Sequence, residues 1–162
     1  MGPKDVIRNT LDTSDFIIKA YVKDLSDEEL RLVPVEGMHP IALQLGHLIA
    51  AEHRFKEWIE PGTSPPLPEG FAEAHDFKKA DGDASRYRTR DEYLKLWDEQ
   101  RAATKALLDR ISDADLDDNR GGKLPPWAPT VAAALNMAGM HALNHSGQFV
   151  AVRRKLNKPI AF

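Results

Sequence analysis

The stretch VAAALNMAGMHALNHSGQFVAVRRKL, residues 131–156, sets Val131, Leu135, Ala138, Ala142, Phe149, Val152 and Leu156 in one row, with His145 among them. Steps of alternately four and three residues align one face of an α-helix. Thr130, following Pro129, is a suitable N-cap for that helix. An apolar stripe of this length needs other elements to cover it, so the rest of the chain must supply them.

Three further segments carry the same spacing. The first reads Ile7, Leu11, Ser14, Ile18, Tyr21, Leu25, and the second Ile41, Leu45, Leu48, Glu52, Phe55, Ile59, with Pro40 suited to its first turn. The third reads Tyr93, Trp97, Gln100, Thr104, Leu107, Ile111, and Thr89 with Glu92 forms a capping box at its start. No run alternates with period two, so no sheet is expected. The pattern predicts an all-α single domain over residues 1–162, built from four helices. Ser26 and Ser112 each precede an acid by three residues, a spacing that caps a short turn after the first and third helices. His47 to Phe55 and His141 to Phe149 repeat the same interval, a faint two-fold repeat of helix, turn, helix. Between the halves runs Pro61 to Arg88, opening on PGTSPPLPEG, too rich in Pro and Gly for regular structure. A connection that long crosses the bundle or covers a site, and a crossover lets helices two and three run parallel.

Composition narrows the function classes. Hydrophobic residues at 42% and charged residues at 29% fit a globular chain rather than a disordered one. A net charge of -3 provides no field for a polyanion, so no nucleic-acid partner is expected. Arg153, Arg154, Lys155 and Lys158 lie at the end of the fourth helix, where cations suit the helix dipole. The chain has no Cys, which excludes thiolate ligands and a cysteine nucleophile and agrees with a cytoplasmic location. Its first residues, MGPKDVIRNT, lack an apolar leader core, and no stretch approaches ~20 apolar residues, so no membrane partner is expected.

His141 and His145, four positions apart, present two imidazoles on one helix face, near enough to share a metal ion. On spacing alone the commoner outcome is a hydrogen-bonded core histidine. The residues between them, Ala142, Leu143 and Asn144, exclude a zincin motif. A third ligand has to come from elsewhere. His47 inside helix two is a better candidate than His39, His53 or His75, although it lies off the centre of its own stripe. Glu52 sits in the centre of that stripe. It is read either as a carboxylate serving the site, by orienting a ligating imidazole or acting as a general base, or as half of a buried ion pair with an Arg from another helix. The only Glu-x-x-His, Glu36 to His39, contains Gly37 and precedes Pro40, which argues against a di-iron bundle; Gly121-Gly122-Lys123 lacks the earlier glycine of a P-loop.

PIALQLGHLIAAEHRF (40–55), MHALNHSGQFVAVRRKL (140–156), the LSDEEL turn and the ending NKPIAF together resemble the DinB-like superfamily and its YfiT-like relatives. The resemblance spans nearly the whole chain, although its motifs are short. It implies a four-helix bundle with a long crossover between helices two and three, a homodimer, and a divalent metal held by His47, His141 and His145. Zn or Ni are the first expectations for the ion and Fe or Mn the next, with a low-molecular-weight thiol as a co-reactant in some relatives. It further implies a metal-dependent enzyme acting on a small molecule, of hydrolase or thiol-dependent transferase type, with Glu52 as base or orienting group. The rival expectation is a non-catalytic, stress-related dimeric bundle whose metal is structural or lost.

Overall fold

A computed structural model describes residues 1–79 and 83–160; residues 80–82 of the crossover, and Ala161 and Phe162 of the terminal NKPIAF, lie outside the described residues. Four long helices form the bundle, with two single helical turns between them. Helix α1 is Pro3–Val22, the short α2 is Asp27–Leu30, α3 is Ile41–Ile59, the short α4 is Phe71–Ala74, α5 is Arg90–Arg110 and α6 is Val131–Lys155. No strand occurs among the described residues, and no helix there is long and apolar enough to cross a membrane.

The starts of these helices follow local chemistry. Thr130 accepts a hydrogen bond from the Ala133 N–H at the head of α6, and Thr89 and Glu92 bond reciprocally at the head of α5. Ser26 with Glu29, and Ser112 with Asp115, do the same for the turns after α1 and α5. Pro40 stands one position earlier than expected: its backbone is extended at ψ 156° and it caps α3 instead of entering it, its carbonyl accepting the Gln44 N–H.

Pairings between helices set their directions. Arg8 pairs with Asp109 while Asp15 accepts from Trp97 Nε1 at 2.7 Å, so α1 and α5 are antiparallel. Gln44 meets His145 while Phe55 meets His141, so α3 and α6 are antiparallel as well. Glu52 meets Arg101 while Glu60 meets Arg110, making α3 and α5 parallel neighbours, which the long crossover allows. Helices α1 and α6 are the other parallel pair. Gly139 on α6 lets them approach closely, since a Cβ there would lie 2.9 Å from the Thr10 carbonyl oxygen. The basic end of α6 does more than suit a helix dipole. Arg153 is buried and grips Asp24 at 2.6 Å and the Tyr21 carbonyl at 2.8 Å, and it holds the Asp24 carboxyl below the usual range. Lys155 donates to the Val33 and Pro34 carbonyls, tying down the connection that follows α2.

The apolar core is two clusters, one around Leu45, Trp97 and Phe149 and one around Leu11, Leu107 and Leu135. Between them on α1, α3 and α5 lies a buried polar layer. Glu52 forms an ion pair with Arg101 at 3.0 Å, both side chains only 3% exposed, and accepts from Thr104 Oγ1 at 2.7 Å. Arg101 also donates to Ser14 Oγ at 3.1 Å. Lys56 shares the layer, donating to the Glu52 carbonyl, and burial pushes its ammonium down to about 8. One carboxylate thus faces two buried cations. Replacing Glu52→Ala leaves both without a counter-ion and is expected to cost about 3–5 kcal/mol in urea unfolding; a loss below about 1 kcal/mol would mean that water enters the layer freely.

Candidate metal centre

The three imidazoles named from sequence converge. One nitrogen from each of His47, His141 and His145 lies within 4.8 Å of the other two, the only such His, Asp and Glu group found among the described residues. Ring centroids are 5.0 Å apart for His47 and His141, 5.4 Å for His47 and His145, and 4.8 Å within the i,i+4 pair. The pair comes from one face of α6, and His47 comes from the antiparallel α3 facing it. His145 is buried; the other two are half-buried.

A chain of hydrogen bonds fixes the rings. The Gln44 amide nitrogen donates to the His39 carbonyl at 2.9 Å, which turns the amide oxygen toward α6. That oxygen accepts from His145 Nδ1 at 2.8 Å, so the proton of the neutral ring resides on Nδ1 and Nε2 carries a lone pair. His145 Nε2 then faces His141 Nε2 at 3.1 Å. Donors bound at about 2.0–2.1 Å to one ion stand about 3–3.5 Å apart, so this pair already has the spacing of two metal ligands. The third nitrogen, from His47, lies within 4.8 Å of both. A set of three neutral imidazoles suits Zn, Ni, Cu or Fe(II), and the residues present therefore fit a divalent ion.

Burial keeps the donors unprotonated. Desolvation, followed by the neighbouring His47 and Arg54, lowers His141 to about 4, and desolvation, followed by His141 and His47, lowers His145 to about 3. His47 is lowered too, by burial first and then by Arg54. Each ring resists a proton because burial strips part of its water away and because nearby groups carry or would carry like charge.

The crossover completes the surroundings. His75 donates from Nδ1 to the Phe71 carbonyl at 2.7 Å, so its Nε2 accepts from the Tyr93 hydroxyl at 2.7 Å. Its ring lies flat on Gly46, where a Cβ would sit 1.9 Å away, so the residue beside His47 has to be glycine. Thus anchored, the crossover lays Phe77 against two imidazoles, stacked on His39 at 4.5 Å and on His47 at 4.2 Å. On the other flank Phe55 lies 6.3 Å from His141 and 5.9 Å from Trp127. A cleft of about 1070 Å³ opens from His47 between α3 and the crossover, walled by Arg54, Glu57, Leu67 and Phe71.

The alternatives weighed from sequence are sorted accordingly. His39 stacks on Phe77, His75 anchors the crossover and His53 lines the cleft; none joins the three. Glu52 stands apart from them, its carboxylate held by Arg101 and Thr104, which is the ion-pair reading. Gln44 and Phe77 escaped the sequence reading. Gln44 had a signal, a lone amide among the apolar Ile41, Ala42, Leu43 and Leu45 three residues before His47; Phe77 had none in a polar connection.

Comparison with known proteins places this geometry in a family. A sequence model of the DinB superfamily matches residues 17–149. A solved structure described as the conserved protein of locus from Enterococcus faecalis superposes with a TM-score of 0.69, covering 97% of this chain and 98% of that one at 18% identity. At that identity the likeness shows the shared fold and nothing more. No curated protein matches the chain.

The lowered rings dictate a pH response. An unfolded imidazole takes up a proton near 6.5, whereas folded His141 and His145 stay neutral to about 4 and about 3. Protons therefore favour the unfolded chain, and stability present above pH 6.5 is lost progressively as the pH falls toward 4. Calorimetry of metal-free protein should show Tm falling through that window, and a flat Tm would contradict the burial of these rings.

Proposed function

The chain belongs to the DinB superfamily, and on that premise we propose that it is a metal-dependent enzyme acting on a small molecule, with one divalent ion held by His47, His141 and His145. The observation that carries this reading is the convergence of three imidazole nitrogens, one of them on His47, which lines a large cleft. Such an ion supplies a Lewis acid that polarises a substrate and lowers the pKa of a coordinated water or thiol toward neutrality. Hydrolysis and transfer to a low-molecular-weight thiol both use that chemistry, and the cleft has room for either pair of reactants.

The protein's own residues contribute orientation and dryness. Gln44 holds the proton of His145 on Nδ1 and so keeps Nε2 free. Phe77 and Phe55 shield opposite flanks of the imidazoles from water. Glu52 does not serve the site, because Arg101 and Thr104 engage both of its oxygens and it is not part of the three-His group. A purely structural metal is disfavoured by the donor count: among the described residues no fourth His, Asp or Glu joins the group to close it. An expected homodimer is supported by Val6 and Met140, exposed apolar side chains on α1 and α6, the two helices that meet at Thr10 and Gly139.

Metal titration against a competing chelator tests the centre. His141→Ala should weaken zinc binding by more than about 100-fold, and Gln44→Ala by about 10–100-fold, the usual effect of removing a group that orients a ligand. Fully loaded protein should then turn over esters or thiol-conjugation substrates in a manner abolished by His141→Ala. Unchanged zinc affinity in His141→Ala would refute the centre; loaded protein inert toward both panels would refute the enzyme.

A further inference from the structure

The cleft contains a cation that the metal centre does not use. Arg54 lies on α3 seven residues after His47, ~10 Å farther along the helix axis, and lines the same cleft. Its charge is felt at both His47 and His141. Among the described residues it makes no ion pair, and its guanidinium rests over the Trp58 ring at 5.6 Å. Trp58 is itself packed against Phe55 at 5.6 Å and Trp127 at 5.9 Å, so the cation stands on a firm aromatic base.

Two of the three acids that line the cleft have other work. Glu57, one turn beyond Arg54, spends both oxygens on backbone N–H groups of the crossover, accepting from Gly62 at 2.8 Å and Ser64 at 3.0 Å. Asp76 accepts from the Lys78 N–H at 2.9 Å, closing its own turn. Glu73 lines the opposite wall on α4, where Lys78 and Lys79 also reach the cleft. Ala50, Leu67 and Phe71 give the cleft apolar wall, alongside His53 and His75. A cleft lined by an uncommitted guanidinium and, about two helical turns away, by His47 of the three rings, with Leu67 and Phe71 among its walls, suits a monoanion with a hydrocarbon body.

We infer that the cleft binds an elongated small-molecule acid whose carboxylate pairs with Arg54, whose apolar body lies along Leu67 and Phe71, and whose far end reaches His47. This rests on the proposed enzymatic reading for what happens at the far end, but the recognition of the acid does not require the metal. Arg54 is thereby a substrate-anchoring residue, and the reacting end of the ligand is defined by its distance from the carboxylate.

Calorimetric titration of metal-free protein tests this, because no ion is then present to attract a carboxylate. The probes are 4-phenylbutanoate and its neutral amide, 4-phenylbutanamide. The acid should bind about tenfold tighter than the amide. Arg54→Gln should abolish the difference and Arg54→Lys should retain part of it, each with unchanged helical circular dichroism. Equal binding of acid and amide, a preference surviving in Arg54→Gln, or no saturable binding of the acid at about 10 mM overturns the inference. Zinc titration of the same samples separates the two claims. An acid preference in a protein that takes up no zinc leaves Arg54 as the anchor and sinks the metalloenzyme, whereas zinc uptake without that preference sinks only the anchor.

Discussion

Three imidazoles pressed into a half-dry space between two helices set the terms for the rest of this structure. Burial above all keeps each ring neutral, helped by Arg54 at His47 and His141 and by neighbouring imidazoles at His141 and His145. Rings with a lone pair at 3.1 Å from another ring nitrogen need something electron-poor between them. A proton supplies that for one pair. A divalent ion would supply it for all three at once, which is the ground for the proposed metal centre.

Bundle topology supplies the convergence. Antiparallel α3 and α6 bring residue 47 opposite residues 141 and 145, and the crossover that makes α3 and α5 parallel passes over the same end of α3. The crossover is held by His75 lying on Gly46 and by the Tyr93 hydroxyl, and this seating puts Phe77 over the rings and opens the cleft beside them. Directions of packing also agree with the sequence repeat. Exchanging α1 with α5 and α3 with α6 maps each parallel pair onto the other, and His47 onto the α6 position of His141.

Much of this was legible in the residues. Apolar spacing located all four long helices, and the Thr89 and Thr130 caps fixed the starts of α5 and α6, as Ser26 did for the short α2, because both signals are local. The i,i+4 pair on α6 was legible for the same reason. His47 was not selected by its helical wheel, and the structure shows why. The first half of α3 touches α5, α6 and the crossover, so residues from Ile41 to Leu48 are buried nearly all round and no single stripe describes them. Family likeness supplied that residue where periodicity failed. Glu52 was seen as a costly carboxylate in a core, but whether it served the site or an ion pair depended on Arg101, forty-nine positions away and invisible to any local pattern. Phe77 and the uncommitted state of Arg54 depend on how the crossover folds back, which no spacing encodes.

The central claim is that the three rings share one ion. Zinc X-ray absorption on protein loaded with one equivalent measures it directly. The account predicts three imidazole nitrogens at about 2.0–2.1 Å, dropping to two in His47→Ala. A zinc shell with fewer than three imidazoles in the native chain, or one unchanged by His47→Ala, would contradict it.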